Sequence, residues 1–428
     1  MINKDIEAIL MTAARARAAG HVDEAVRHYN AILSSGNEHP VALNALGMDM
    51  LGRGDPIGAS AFFARAIRVD PSAPELWMNL AKAQRESGDD AAERLALDGA
   101  LAIDQRHFMA LVRLAEWHDR RGEGVAAAER WSQVLTLAMA FDERPPAIEA
   151  LLAHARAVIA RERADLAARI DTALETSRSA LDANERRRVD ACIDHALGRR
   201  PIYTNQCAGI HFPFLPADEF FSRQQFPWLT QLEAQTGTIR EELLRVLVED
   251  AALFQPYVAM EPGTPQNKWS PLDGSVAWSA MHLWKDGRRD DANCARVPRT
   301  ATIVESLPLS DLPGRTPTVF FSILQPGAHL PAHTGVSNVR AIIHLPLIVP
   351  PGCSFRVGGE TRDWVEGEAW VFDDTIEHEA WNRSDRMRAI LILDAWNPHI
   401  ADHERAMLRT FFATSGDGAE AAKLRVTD

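Results

Sequence analysis

The chain has 428 residues, 46% hydrophobic and 25% charged, a soluble globular composition too long for one compact core, so two or three folding units are expected. Its net charge of -13 and pI near 5.6 supply no long-range field toward phosphate backbones, which removes nucleic acid from the leading partners.

At the N-terminus the apolar positions are interrupted by Lys4, Asp5, Glu7, Arg15 and Arg17, so no hydrophobic segment of signal-peptide form is present. Thr316 to Val339 contains no Asp, Glu, Lys or Arg, but Pro317, Pro326, Gly327 and Pro331 disqualify it as a spanning helix. A cytoplasmic protein with no membrane span is expected. Cys192, Cys207, Cys294 and Cys353 are scattered and form no CxxC pair, which predicts reduced thiols with no zinc knuckle or disulfide framework.

Glycines recur 34 residues apart at Gly20, Gly54, Gly88 and Gly122. Nine residues after each stands a large side chain: Tyr29, Phe63, Leu97 and Trp131. Leu46, Leu80 and Leu114 precede the small residues Gly47, Ala81 and Ala115. Glycine permits the tight turn, the small residue lets two helices approach, and the large one fills the space between neighbours. This region resembles the tetratricopeptide repeat family over roughly residues 5 to 138. Such an array implies a concave surface for a peptide or protein partner, with a spacer or dimerisation arm as the competing role. Trp77 and Trp117 are read as core.

From Pro145 to about Arg200, Ala-rich and Arg-rich sequence predicts a helical connector, and the run Glu185 to Arg188 reads as a solvated helix face. Beyond Arg200, prolines, aromatics and short alternating segments take over. One helix is predicted to open near Pro227, with Leu229, Leu232, Ile239, Leu243 and Leu247 on its apolar side. Strands are predicted at 318–325, 338–349, 353–358, 368–374 and 387–396, punctuated by Pro326-Gly327, Pro351-Gly352, Gly358-Gly359 and Glu366-Gly367 as in a jelly roll.

His333 follows the first of these strands by a short loop, and His378 follows EAWVFDD. In a double-stranded β-helix, opposite strands approach at the barrel mouth, so these histidines can meet over one metal. Imidazole suits iron(II), and two protein ligands leave coordination positions open.

The sequences HTGVSNVRAIIHLPLIVPPG, VGGETRDWVEGEAWVFDDTIEHEAWN and RAILILDAWNP, between Ser322 and Pro398, resemble the aspartyl/asparaginyl β-hydroxylase family, with weaker similarity back to about residue 215. The resemblance implies that His333 and His378 ligate Fe(II) and that 2-oxoglutarate is the co-substrate. Many related oxygenases carry a carboxylate two residues after the first histidine, where this chain has Gly335. The resembled family also has glycine there, with water at the vacated position. Asp373, Asp374 and Glu377 are candidates to orient a ligand, not to coordinate.

The resemblance further implies that Arg388 forks the distal carboxylate of 2-oxoglutarate, with Ser322 as its hydroxyl partner. Arg388 shares a strand face with Ile390 and Ile392, which suits a buried charge awaiting an anion. An internal salt bridge to Asp394 is the competing role. His344 matches a family histidine near the chelating carboxylate. Several relatives have arginine two positions before it, and this chain has Ile342, so Arg340, two further back on the same face, is the candidate replacement. His211, His282, His329 and His399 fit no metal spacing, and Trp364, Trp370, Trp381 and Trp396 are expected to be barrel packing.

The expected architecture is thus multidomain α + β: a tetratricopeptide superhelix over 1–140, a helical connector over 141–200, an oxygenase double-stranded β-helix (jelly roll, cupin-like) with flanking helices over 201–400, and a C-terminal helix and tail over 401–428. The implied reaction couples oxidative decarboxylation of 2-oxoglutarate to insertion of one oxygen atom into a C–H bond, foremost the β-carbon of Asp or Asn in a peptide. A free amino acid, a small peptide, a lipid acyl chain and an inactive scaffold are the alternatives.

Overall fold

A computed structural model describes residues 3–415, so the predicted tail from 416 to 428 lies outside the described residues. The chain divides into two compact units at Asp190/Ala191.

In the first unit, helices pair as α1 (Asn3–Ala18) with α2 (Val22–Ser34), α3 (Pro40–Gly52) with α4 (Pro56–Val69), α5 (Pro74–Ser87) with α6 (Asp90–Ile103), and α7 (Phe108–Arg120) with α8 (Gly124–Ala138). The four periodic glycines sit in the turns inside these pairs at φ of +83°, +81°, +78° and +69°, a left-handed conformation that a Cβ would strain. Tyr29, Phe63, Leu97 and Trp131 are buried in every pair. A Cβ on Gly47 would lie 2.7 Å from the Phe63 ring, which explains the small residue in that column. Trp117 is buried as expected, and Trp77 is half-buried. The array continues into α9 (Pro146–Ser179), and α10 (Ala183–Ala196) spans the division between the units.

In the second unit the helix predicted from Pro227 is two helices, α11 (Leu229–Glu233) and α12 (Thr236–Glu249). The break at Ala234–Gln235 is held by side chains at the junction: Thr236 Oγ1 donates to the Glu233 carbonyl at 2.7 Å, and the Glu233 carboxylate accepts from Arg223 and from the distant Ala369 amide. Two short helices follow, α13 (Asp291–Arg296) and α14 (Pro298–Glu305), and α15 (Asp402–Thr414) closes the described chain.

Among the described residues, eleven strands form two antiparallel sheets: β1 (Gln255–Pro256), β2 (Trp278–Lys285), β3 (Arg288–Arg289), β4 (Val319–Leu324), β5 (His329–His333), β6 (Arg340–Ile348), β7 (Cys353–Val357), β8 (Glu360–Asp363), β9 (Trp370–Phe372), β10 (His378–Asn382) and β11 (Arg388–Trp396). The larger sheet runs β1-β2-β4-β11-β6-β9, with β3 beside β2, and the smaller runs β5-β10-β7-β8. His333 ends β5 and His378 opens β10, so both histidines belong to short strands that were not among the predicted ones.

Strand parity sorts the larger sheet. Odd-numbered Phe321, Ile323, Ile343, Leu345, Leu391 and Leu393 pack with Ile239, Leu243 and Val246 of α12 in one core. Even-numbered Leu324, Ile342 and Ile390 join Phe355, Val357 and Ala380 of the smaller sheet in a second core between the sheets. Ser322, Arg340, His344, Arg388 and Asp394 share the even parity and line the same interior. No helix among the described residues is long and apolar enough to cross a membrane.

Candidate active site

A cavity of about 440 Å³ opens between the sheets. His333 and His378 lie on its wall as cross-strand partners in the β5/β10 pair, with ring centroids 4.1 Å apart. His333 Nδ1 is 2.7 Å from the Pro331 carbonyl oxygen, and His378 Nδ1 is 2.9 Å from that of Ile376. A carbonyl only accepts, so both Nδ1 atoms carry the proton and each Nε2 keeps a lone pair. Burial, with His378 as the next cause, lowers the pKa of His333 to about 3, and burial lowers that of His378 to about 4. Both rings are therefore neutral bases at physiological pH, the state in which imidazole binds a metal. Trp269 meets the His333 ring edge-on at 4.8 Å.

Among the described residues there is no cluster of three or more His, Cys, Asp or Glu side chains arranged to hold a metal ion, so the pair stands without a third protein ligand. Position 335 cannot supply one: a Cβ on Gly335 would collide with the Asp374 carboxylate, which fills that space. The Gly335 amide donates to the Asp374 carbonyl at 2.6 Å, tying the segment after His333 to the one before His378.

Arg388 is 1% exposed and has no ion pair with any described residue. Its Nη1 is 3.3 Å from both the carbonyl oxygen and Oγ of Ser322, which also accepts from Trp278 Nε1 at 3.1 Å. Its Nε is buried without a hydrogen-bond partner, and burial lowers its pKa to about 10, so the side chain remains charged. Asp394, the partner considered for it from sequence, pairs elsewhere. His344 packs among Phe355, Phe372 and Trp364, with Nδ1 buried and unpartnered. Burial, then the nearby Arg388 charge, keeps its pKa well below the ordinary value.

Arg340 contacts Asp394 at 3.1 Å and Asp374 at 3.3 Å. Burial raises the pKa of both carboxylates, Asp394 to about 6, while Arg340 pulls each back down. This ion triad is the main feature that sequence reasoning missed. Tyr257 and Trp278, stacked at 3.9 Å on the same wall, were missed as well because β2 was not predicted. Of the tryptophans assigned to packing, Trp364 also lines the cavity, beneath the Arg388 guanidinium at 4.8 Å. A second cavity of about 750 Å³ adjoins the first and shares Tyr257, Thr318, Val336 and Arg340 with it.

Residues 233–398 match the sequence model of a family described as aspartyl/asparaginyl beta-hydroxylase. The human aspartyl/asparaginyl beta-hydroxylase is 36% identical over 179 residues, which is 41% of this chain and 22% of that protein. The ornithine lipid ester-linked acyl 2-hydroxylase of Rhizobium tropici is 35% identical over 178 residues, 40% of this chain and 58% of that one. The chain thus spans about a fifth of the length of the human relative. Among solved structures, a crystal structure of MamA protein aligns with 42% of this chain and 98% of its own, at a TM-score of 0.33 and 18% identity. The likeness to aspartyl/asparaginyl beta-hydroxylases thus falls within the second unit, over residues 233–398.

Proposed function

We propose that the second unit is an iron(II)- and 2-oxoglutarate-dependent dioxygenase that hydroxylates the β-carbon of an Asp or Asn side chain in a peptide or protein, with the tetratricopeptide array contributing to partner binding. One observation carries this reading: two neutral imidazoles with free Nε2 atoms share a cavity with a buried guanidinium that has no anionic partner among the described residues. The donor set fits iron(II), because imidazole is a suitable ligand and the missing third side chain leaves positions for a bidentate oxoacid and dioxygen.

His333 and His378 would hold the metal, each ring oriented by its Nδ1 bond to a backbone carbonyl. When bound, iron(II) supplies the activation of dioxygen that the side chains cannot provide. Arg388 and Ser322 would bind the distal carboxylate of 2-oxoglutarate, converting an uncompensated buried charge into a charge-assisted pair. His344, neutral and with a free nitrogen, would contact the chelating end. Phe320, Phe355, Phe372 and Trp364 exclude water around these groups. Arg340, expected from sequence at the chelating end, is held by two carboxylates and in this proposal faces the target instead. A cytoplasmic setting accords with four free cysteines.

An acyl chain is the second reading, favoured by the apolar wall of Phe320, Ile342, Ile390 and Ile392 and by the similarity to a lipid acyl 2-hydroxylase. Anaerobic addition of iron(II) and 2-oxoglutarate tests the core proposal. A metal-to-ligand absorption band in the visible, followed by succinate release in air, is expected. A folded protein showing neither would be an inert scaffold. Mass spectrometry of co-purified partners then separates a peptide gaining one oxygen from an oxidised lipid.

A further inference from the structure

Two cationic side chains line the cavity of the histidines, Arg388 and Arg340. On the dioxygenase reading, Arg388 is taken by the distal carboxylate of the oxoacid. Arg340 already has two buried partners, Asp394 at 1% exposure and Asp374 at 7%. Lys285 and Arg315 line the adjoining cavity and are absent from the wall of this one. Lys268, which donates to the Ala332 carbonyl at 2.7 Å, and Arg356, paired with Glu377 and Glu379, lie near the histidines but outside this wall. Within the wall, a divalent cation, the doubly charged oxoacid and Arg388 together carry one positive charge, and the Arg340 triad carries one negative charge, so the loaded site is neutral. An uncharged target keeps it neutral. A carboxylate would be the third around one guanidinium, in an environment where like charges repel strongly and water cannot screen them.

The triad also leaves hydrogen-bonding capacity unused. Arg340 Nε and Asp374 Oδ1 are buried with no hydrogen-bond partner among the described residues, one a donor and the other an acceptor. A carboxamide carries a complementary acceptor and donor, a carboxylate only acceptors, and a hydrocarbon neither.

We propose that the Arg340–Asp374–Asp394 triad selects a target whose group beside the histidines is uncharged, an asparagine carboxamide in preference to an aspartate carboxylate, with Asp394 as the specificity-determining residue. This deepens the dioxygenase reading and rests on it.

The test uses the full chain loaded with manganese(II) and the unreactive analogue N-oxalylglycine at pH 7.5. Paramagnetic relaxation of probe protons is read for acetyl-asparagine methylamide, acetyl-aspartate methylamide and methyl octanoate. The asparagine probe is expected to bind about ten-fold or more tightly than the aspartate probe. Asp394→Asn, which frees Arg340 from one carboxylate at constant side-chain size, is expected to close most of that gap by strengthening the aspartate probe. Equal relaxation by the two amino-acid probes in the unaltered chain, including equal absence, overturns the proposal whether or not the variant folds. So does an unchanged ratio in folded Asp394→Asn, while stronger relaxation of methyl octanoate assigns the site to an acyl chain. Failure of the dioxygenase reading is distinguishable, because the iron–oxoacid absorption band is recorded on a separate portion of the same metal-free protein, given iron(II) and 2-oxoglutarate anaerobically in place of manganese(II) and the analogue.

Discussion

His333 and His378 face each other across the β5/β10 pair, and each ring points its Nδ1 at the carbonyl of the residue two before it. The same local turn is thus used twice to present two Nε2 atoms. Replacing either histidine by alanine removes half of the proposed protein ligation. Because loss of a supporting contact alone typically costs about 10- to 100-fold in metal affinity, loss of a ligand should cost about 100-fold or more. Manganese(II) titration followed by electron paramagnetic resonance measures this, with circular dichroism to show that the fold is retained.

The depressed basicity of these rings sets a pH dependence. A group whose folded pKa lies below its ordinary value stays deprotonated as pH falls, until the lowered pKa is reached. With His378 near 4 and His333 near 3, protons compete with the metal only at the acid end. Metal affinity should stay flat from pH 8 to about 5 and fall below that, where ordinary histidines would lose affinity from about 6.5. A tenfold loss of manganese(II) affinity between pH 7.5 and 6 in folded protein would contradict the assignment.

Arg388 should show opposite effects on binding and on stability. Removing the fork that holds a dicarboxylate in a dry cavity should weaken 2-oxoglutarate by about 2–5 kcal/mol. Without ligand, the same guanidinium is buried with no anion to offset its desolvation. Arg388→Met should therefore leave the ligand-free protein as stable as the parent, or more stable by about 1 kcal/mol. Titration of the oxoacid against the absorption band and thermal unfolding of the ligand-free protein measure the two effects separately.

Much of this was legible in the sequence, and each exception has a physical cause. The helical repeats could be read because Gly20, Gly54, Gly88 and Gly122 impose one turn conformation at one period, and the buried column of Tyr29, Phe63, Leu97 and Trp131 keeps register with them. β4, β6 and β11 were visible as apolar runs because both of their faces are covered. β5 and β10 were not, since HLPAH contains Pro331 and HEAWN is largely polar, so neither shows an apolar alternation. The break between α11 and α12 depends on long-range bonds to Glu233, which propensity does not register. Within the site, the histidines and Arg388 were reached through family resemblance. The Arg340 triad joins residues 34 and 54 apart on different strands and loops, a pairing that no spacing rule encodes.

Gly335 offers a sharp test of why two histidines stand without a carboxylate. Gly335→Asp would restore the acidic residue at the position common in related oxygenases, but its Cβ would enter the volume of the Asp374 carboxylate, and its charge would face that of Asp374. Overpacking alone costs about 1–3 kcal/mol, and the like charge adds to it. The variant should unfold at lower temperature and bind metal more weakly. Combining it with Asp374→Ala, which empties the contested space, should recover part of the lost stability. Tighter metal binding by the single variant would show that the segment can rearrange to admit a third ligand.

In the first unit, Trp131 is fully buried in the core of the fourth helix pair and donates its Nε1 hydrogen to Asp119 at 2.8 Å. Trp131→Ala would open a large cavity and strip Asp119 of a donor, at a cost of about 3–5 kcal/mol. In a repeat array each pair is stabilised by its neighbours, so the loss should spread to the packing of α7, α8 and α9 and leave α1 to α4 less affected. Hydrogen exchange should then accelerate across α7–α9 well before α1–α4. Uniform acceleration along the array would mean that it unfolds as one cooperative block.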